Sequence, residues 1–142
     1  MAHAGQRISG PGIELRLLRT AAETDGELLE LESTYGDEGV LPPAHFHPSQ
    51  EERFEVLEGA VLTVIDGVER RYGTGDVFHV PAGVMHQLIG DGVARVNWQV
   101  RPALRTAEFF EALYTGIAAA ERGEAFDFSE LLAGHTDEIR FA

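Results

Sequence analysis

The 142-residue chain has no cysteine and no lysine, and these two gaps remove whole classes of chemistry. Without thiols there is no disulfide framework, thiolate nucleophile, iron–sulfur cluster or zinc–thiolate site. A resident metal would have to be held by nitrogen and oxygen. Without lysine there is no Schiff-base amine and no phosphate-cradling P-loop lysine. The 11 basic residues, all arginine, stand against 24 acidic ones, and the formal charge of −13 repels nucleic-acid phosphates and anionic membrane surfaces. Neither is an expected partner. No apolar run is long enough to cross a bilayer, and no apolar stretch follows Arg7 to make Met1 to Gly10 a secretory signal. A cytoplasmic location is the expectation.

What is present is a chain of ordinary globular composition, long enough for one domain with a real core. From Ile13 to Arg101 short strand-like runs alternate with turn signals: Ile13 to Thr20, Glu27 to Tyr35, Glu52 to Glu58, Ala60 to Ile65, Val68 to Tyr72, Asp76 to Val80, Met85 to Ile89 and Val93 to Arg101. Asp25-Gly26 and Asp66-Gly67 are hairpin-turn dipeptides, and the spacing predicts an all-β sandwich or barrel. After Pro102 the apolar period changes from two to three or four. Phe109, Phe110, Leu113 and Ile117 form a helical stripe with Thr106 as the expected N-cap, and a second short helix is expected from Ser129. The expected organisation is an N-terminal arm at 1–12, a barrel at 13–101, and a helical extension at 102–142 that packs on the barrel or at a dimer contact.

The densest chemistry lies at His45, His47 and Glu52. Side chains two apart on an extended segment share a face, so two imidazoles can converge on one ion while Phe46 points away. On the following strand, parity puts Glu52 with Phe54 and Val56 and leaves Glu51 with Arg53, Glu55 and Leu57, a mainly charged, solvent-suited face. Glu52 is therefore the expected carboxylate ligand. The Pro81-Ala82-Gly83 turn aims a third imidazole, His86, from a second segment.

These two segments resemble the motifs of the cupin superfamily. The first motif aligns on Gly39, His45, His47, Glu52 and Gly59, and the second on Gly75, Pro81, Gly83 and His86, with Gly90 where the family has an asparagine. The resemblance implies a double-stranded β-helix, a jelly-roll barrel, followed here by short C-terminal α-helices, with His45, His47, Glu52 and His86 as metal ligands inside it. Three imidazoles and a carboxylate suit one divalent first-row ion, Fe, Mn, Ni, Co or Zn. The resemblance further implies a metal-dependent enzyme acting on a small organic substrate, dioxygenase-like or an isomerase or cyclase. The alternative is a non-catalytic cupin that holds a metal or small molecule for sensing or storage. No residue is assigned a catalytic role beyond the metal.

Candidate substrate-binding residues are Phe54, His79, Asn97, Trp98 and Gln99. His79 is either a packed or hydrogen-bonded histidine or a pocket residue. On the strand from Val93 to Arg101, either Asn97 and Gln99 face inward to meet a substrate, or they face solvent and Trp98 packs in the core or stacks on a ligand. The solvated reading is the simpler one. His3 and His135, near the termini, are expected at the surface. A homodimer is expected because jelly-roll edges need covering.

Overall fold

The structure is a computed structural model that describes residues 2–37 and 41–141. Two antiparallel sheets face each other. The larger sheet orders its six strands β1(Arg7–Gly10), β2(Ile13–Arg19), β3(Leu29–Tyr35), β9(Ala94–Arg101), β4(Glu51–Glu58) and β7(Val77–Val80). The smaller orders three: β6(Val68–Gly73), β5(Ala60–Ile65) and β8(His86–Gly90). Sequence neighbours divide between the sheets, as β4 and β5 do, and this gives the jelly-roll arrangement.

Alternation along the strands determines what lies between the sheets. On β4 every second residue, Glu52, Phe54 and Val56, is buried, and on β9 it is Ala94, Val96, Trp98 and Val100. Leu15 and Leu17 on β2 and Leu29 and Leu31 on β3 complete one apolar layer and are almost wholly excluded from solvent. Three inward rings stack through the barrel. Phe54 lies 5.0 Å from Phe78 and 5.7 Å from Trp98, centroid to centroid, with interplanar angles of 15° and 13°. Such offset aromatic packing adds to the area each ring removes from water.

Strand pairing begins earlier than the sequence suggests. Within the stretch expected as an N-terminal arm, β1 pairs with β2 in register Arg7↔Arg16 to Gly10↔Ile13, and Ala2 is buried. The expected hairpin at Asp25-Gly26 is instead a one-turn helix, α1(Ala21–Thr24), with Thr20 and Glu23 forming a reciprocal capping box. Asp25 takes the left-handed C-cap position at φ 54°.

Two helices follow the barrel, α2(Thr106–Glu121) and α3(Phe128–Ala133). Thr106, expected as N-cap, is the first helical residue. Its hydroxyl faces the buried Gln50 amide at 2.8 Å, so it serves a tertiary contact and does not cap the helix. Asp127 caps α3 by accepting from the Glu130 amide, one residue before the helix begins at Phe128. No helix among the described residues is long and apolar enough to cross a membrane.

Candidate metal centre

The site lies between the sheets at one end of the barrel. His86 is the first residue of β8, and the extended segment at His45 is stitched to it by a reciprocal pair of backbone hydrogen bonds, His45 N to His86 O at 3.1 Å and His86 N to His45 O at 2.8 Å. The Pro81-Ala82-Gly83 turn ties in the next histidine: Gly83, at φ +81°, donates its amide to the His47 carbonyl at 2.8 Å. Glu52 enters from β4 on the opposite sheet.

Each imidazole is held by one nitrogen and presents the other. His45 Nδ1 lies 3.1 Å from the Pro43 carbonyl, His47 Nδ1 2.7 Å from the Glu138 carbonyl and His86 Nδ1 2.9 Å from the Val84 carbonyl. A carbonyl only accepts, so each Nδ1 carries the hydrogen and each ring, when neutral, turns the Nε2 lone pair inward. The three histidines each offer a ligand atom within 4.8 Å of the others. Glu52 Oε1 lies 3.1 Å from His47 Nε2 and 3.0 Å from His86 Nε2.

This arrangement fits a cation. With the His47 ring neutral, its buried Nε2 and the buried Glu52 Oε1 lack a hydrogen-bond partner despite their closeness, because lone pair then faces lone pair. Buried polar groups left this way are costly unless something positive lies between them. Burial opposes charge on Glu52, yet the facing His47 and His86 rings outweigh it and carry the carboxyl down to about 2. Burial pulls His45 down to about 4. Burial pulls His47 the same way, but the Glu52 charge and the Glu138 carbonyl overcome it and raise its pKa. At neutral pH the cluster therefore offers an ionised carboxylate and at least one neutral imidazole. In the metal-free protein the same field favours a proton on His47. All-nitrogen-and-oxygen donation of this kind suits a divalent first-row ion.

The structure brings together the four residues expected as ligands. Glu51 is exposed on the other face of β4, as parity requires. Phe54 and Trp98 sit beside the cluster within the barrel, and the Trp98 indole N–H donates to Glu52 Oε2 at 2.7 Å. Asn97 and Gln99 lie on the opposite face of β9, where both amides donate to Glu30 Oε2 at 3.1 Å. His79 is exposed on β7, on the face opposite Phe78 and Val80. None of these last three reaches the cluster. Gly39 of the first motif lies outside the described residues. At Gly90, a Cβ would stand 2.7 Å from Tyr35 Cβ and 2.7 Å from the Gly92 carbonyl oxygen, so this barrel has no room for the family's asparagine.

One expectation is corrected. His135 is buried, not superficial: its Nδ1 is 2.6 Å from Glu138 Oε1, and its ring packs edge-on against Phe109 of α2. The Glu138 carbonyl, 91 positions from His47, is a contact that no spacing rule could have located.

The two-sheet jelly roll thus gathers three imidazoles and one carboxylate at one end, a group of side chains that could hold a metal ion. Residues 33–100 match the family model described as "Cupin domain" and form a cupin domain. Over 71 residues, half of this chain, the sequence is 34% identical to the quercetin 2,3-dioxygenase of Bacillus subtilis, of which the match covers only 21%. Among solved structures, an RmlC-like cupin from Shewanella frigidimarina is similar at TM-score 0.60 and 22% identity, covering 73% of this chain and 94% of that one. KdgF from Halomonas sp. is similar at TM-score 0.58 and 23% identity, covering 70% of this chain and 86% of that one. At such identities these two likenesses concern the fold.

Proposed function

We propose that this protein is a metal-dependent enzyme acting on a small organic substrate, with dioxygenase chemistry ahead of isomerisation or cyclisation. The observation that carries the reading is the convergence of three Nε2 lone pairs with an ionised, buried Glu52. The 34% identity to a quercetin dioxygenase supports the oxygenase over the other classes. His45, His47, Glu52 and His86 would hold one Fe, Mn, Ni, Co or Zn ion. Such an ion, when bound, supplies Lewis acidity, and a redox-active one adds the capacity to bring oxygen and substrate together.

The chain's own contribution is positional. Backbone carbonyls hold all three rings by Nδ1, and Trp98 holds the far oxygen of Glu52, so the donor set is organised before any ion arrives. The stacked Phe54, Phe78 and Trp98 rings fill the barrel on the Glu52 side and keep water from that flank. His45 is the one half-buried ligand, and it marks the side from which a substrate would approach. Homodimerisation through an open sheet edge belongs to the same proposal, since β1, β7 and β6 are terminal strands; sedimentation as a monomer at micromolar concentration would remove it.

The test is metal analysis of protein purified without chelators, followed by anaerobic loading with Fe(II) and exposure to oxygen with and without a flavonol such as quercetin. Substrate-dependent oxygen uptake is expected, and it should vanish in His86→Ala. A bound metal with no turnover across a broad panel of small organic substrates would move the assignment to a binding cupin. A wild-type chain that takes up no transition metal would sink the reading.

A further inference from the structure

The C-terminal residues do more than end the chain. The His45–Phe46 segment is bordered on one side by β8 and on the other by the tail: Phe46 N donates to Arg140 O at 2.8 Å and Arg140 N to Phe46 O at 3.0 Å. Residues 134–141 therefore act as a strap along the otherwise open edge of the segment that carries two ligands. The strap is tied down by buried polar contacts. Glu138 is 3% exposed and faces His135 Nδ1 at 2.6 Å, while Arg105 donates to the Gly134 carbonyl and lies 3.7 Å from Glu138 Oε1. Apolar contacts complete it: His135 rests on Phe109 of α2, and Phe141 packs between Phe128 of α3 and the His45 ring, at 6.0 and 5.9 Å.

What the strap delivers to the site is one atom. Among the described residues, the Glu138 carbonyl oxygen is the sole hydrogen-bond partner of His47 Nδ1, at 2.7 Å. The other two histidines take their Nδ1 partners from two residues upstream in their own segments, Pro43 and Val84. Among the three histidines, only His47 takes its Nδ1 partner from a distant element.

We infer that the strap formed by residues 134–141 sets the tautomer and aim of His47, and that Glu138 is its positioning residue, with its main-chain carbonyl on the imidazole and its buried side chain anchoring that carbonyl through His135. The two C-terminal helices then support this strap. The inference rests on the metal-site reading above, which it deepens.

The test uses the full-length chain with Co(II) as probe, because its absorption reports the ligand field as well as occupancy. Glu138→Ala is expected to weaken Co(II) binding by about 10–100-fold, the usual consequence of losing the group that orients a histidine ligand. It should also change the Co(II) spectrum and, in the metal-free protein at a pH where the His47 ring is neutral, let that ring lose its single Nδ1–H form in ¹H–¹⁵N imidazole spectra. Glu138→Gln, whose amide oxygen can still accept from His135, should restore all three. Loss of thermal stability with affinity, spectrum and tautomer unchanged would overturn the inference. Should Glu138→Ala fail to fold, His135→Asn is read by the same criteria. Nε2–H at His47 in the neutral wild-type ring overturns it outright. A wild-type chain that binds no metal defeats the proposed function, whereas the tautomer still decides the strap.

Discussion

The Trp98 indole N–H donates to Glu52 Oε2 at 2.7 Å, so the carboxylate that faces two imidazoles with one oxygen is held by the aromatic core with the other. β4 and β9 pair antiparallel with Phe54 opposite Trp98 and Glu52 opposite Val100, and this register brings the indole diagonally within reach of the carboxylate. Trp98 was a candidate for stacking on a ligand. In the structure it packs in the core and donates to the carboxylate expected as a metal ligand.

Trp98→Phe keeps a ring in the stack and deletes the N–H. Glu52 Oε2 is then buried without a donor, which costs about 1–3 kcal/mol of stability, and metal affinity should fall by about 10–100-fold. Denaturant titration and isothermal titration with Zn(II) measure the two effects. Unchanged affinity would show that the hydrogen bond does not orient Glu52.

Glu51 and Glu52 differ in face alone, which permits a direct comparison. Glu52→Ala should abolish tight metal binding. Glu51→Ala, on the exposed face, should leave it intact and alter stability by no more than about 0.5 kcal/mol. Metal content after dialysis distinguishes them, and equal losses would refute the parity assignment.

Gln50, wholly buried, turns its amide nitrogen toward the Pro102 and Ala103 carbonyls and the Thr106 hydroxyl, and so ties the ligand segment to the start of α2. Gln50→Leu leaves these acceptors unsatisfied and should destabilise the protein by about 1–3 kcal/mol. Thermal or urea unfolding reads this, and a neutral effect would mean that water replaces the amide.

Glu30 predicts a pH effect away from the metal. Its carboxylate accepts from Arg19, Asn97 and Gln99. Burial acts against the charged form, but these partners outweigh it and leave the pKa below its ordinary 4.5. A lowered folded-state pKa contributes stability that is present above 4.5 and is lost as pH falls through the folded value. Wild type should therefore exceed Glu30→Gln by under about 1 kcal/mol near neutrality, with the gap closing below pH 4.5. A gap independent of pH in urea unfolding would count against this account.

Local pattern carried far into this protein. Alternation on β4 separated Glu52 from Glu51, the His-x-His spacing put two imidazoles on one side of an extended segment, and the turn at Gly83 brought in His86. Period-two and turn signals act over a few residues, which is why they survive in a bare sequence. The same locality misplaced α1, where Thr20 and Glu23 cap a turn of helix in a stretch that resembles a hairpin. It also left the face of β9 open between Trp98 and the Asn97–Gln99 pair.

The sequence by itself determined an all-β sandwich or barrel, the four metal-ligand candidates and the exclusion of thiolate and lysine chemistry, because each depends on residue type and short spacing. Only the tertiary structure decided that Trp98 faces inward to Glu52, that Asn97 and Gln99 turn outward to Glu30, and that a buried His135–Glu138 pair brings a carbonyl to His47. Those contacts join residues 46, 67 and 91 positions apart. Which of many possible partners meets across such separations is settled by how sheets and helices pack, since the chain's local preferences are the same whichever distant group arrives.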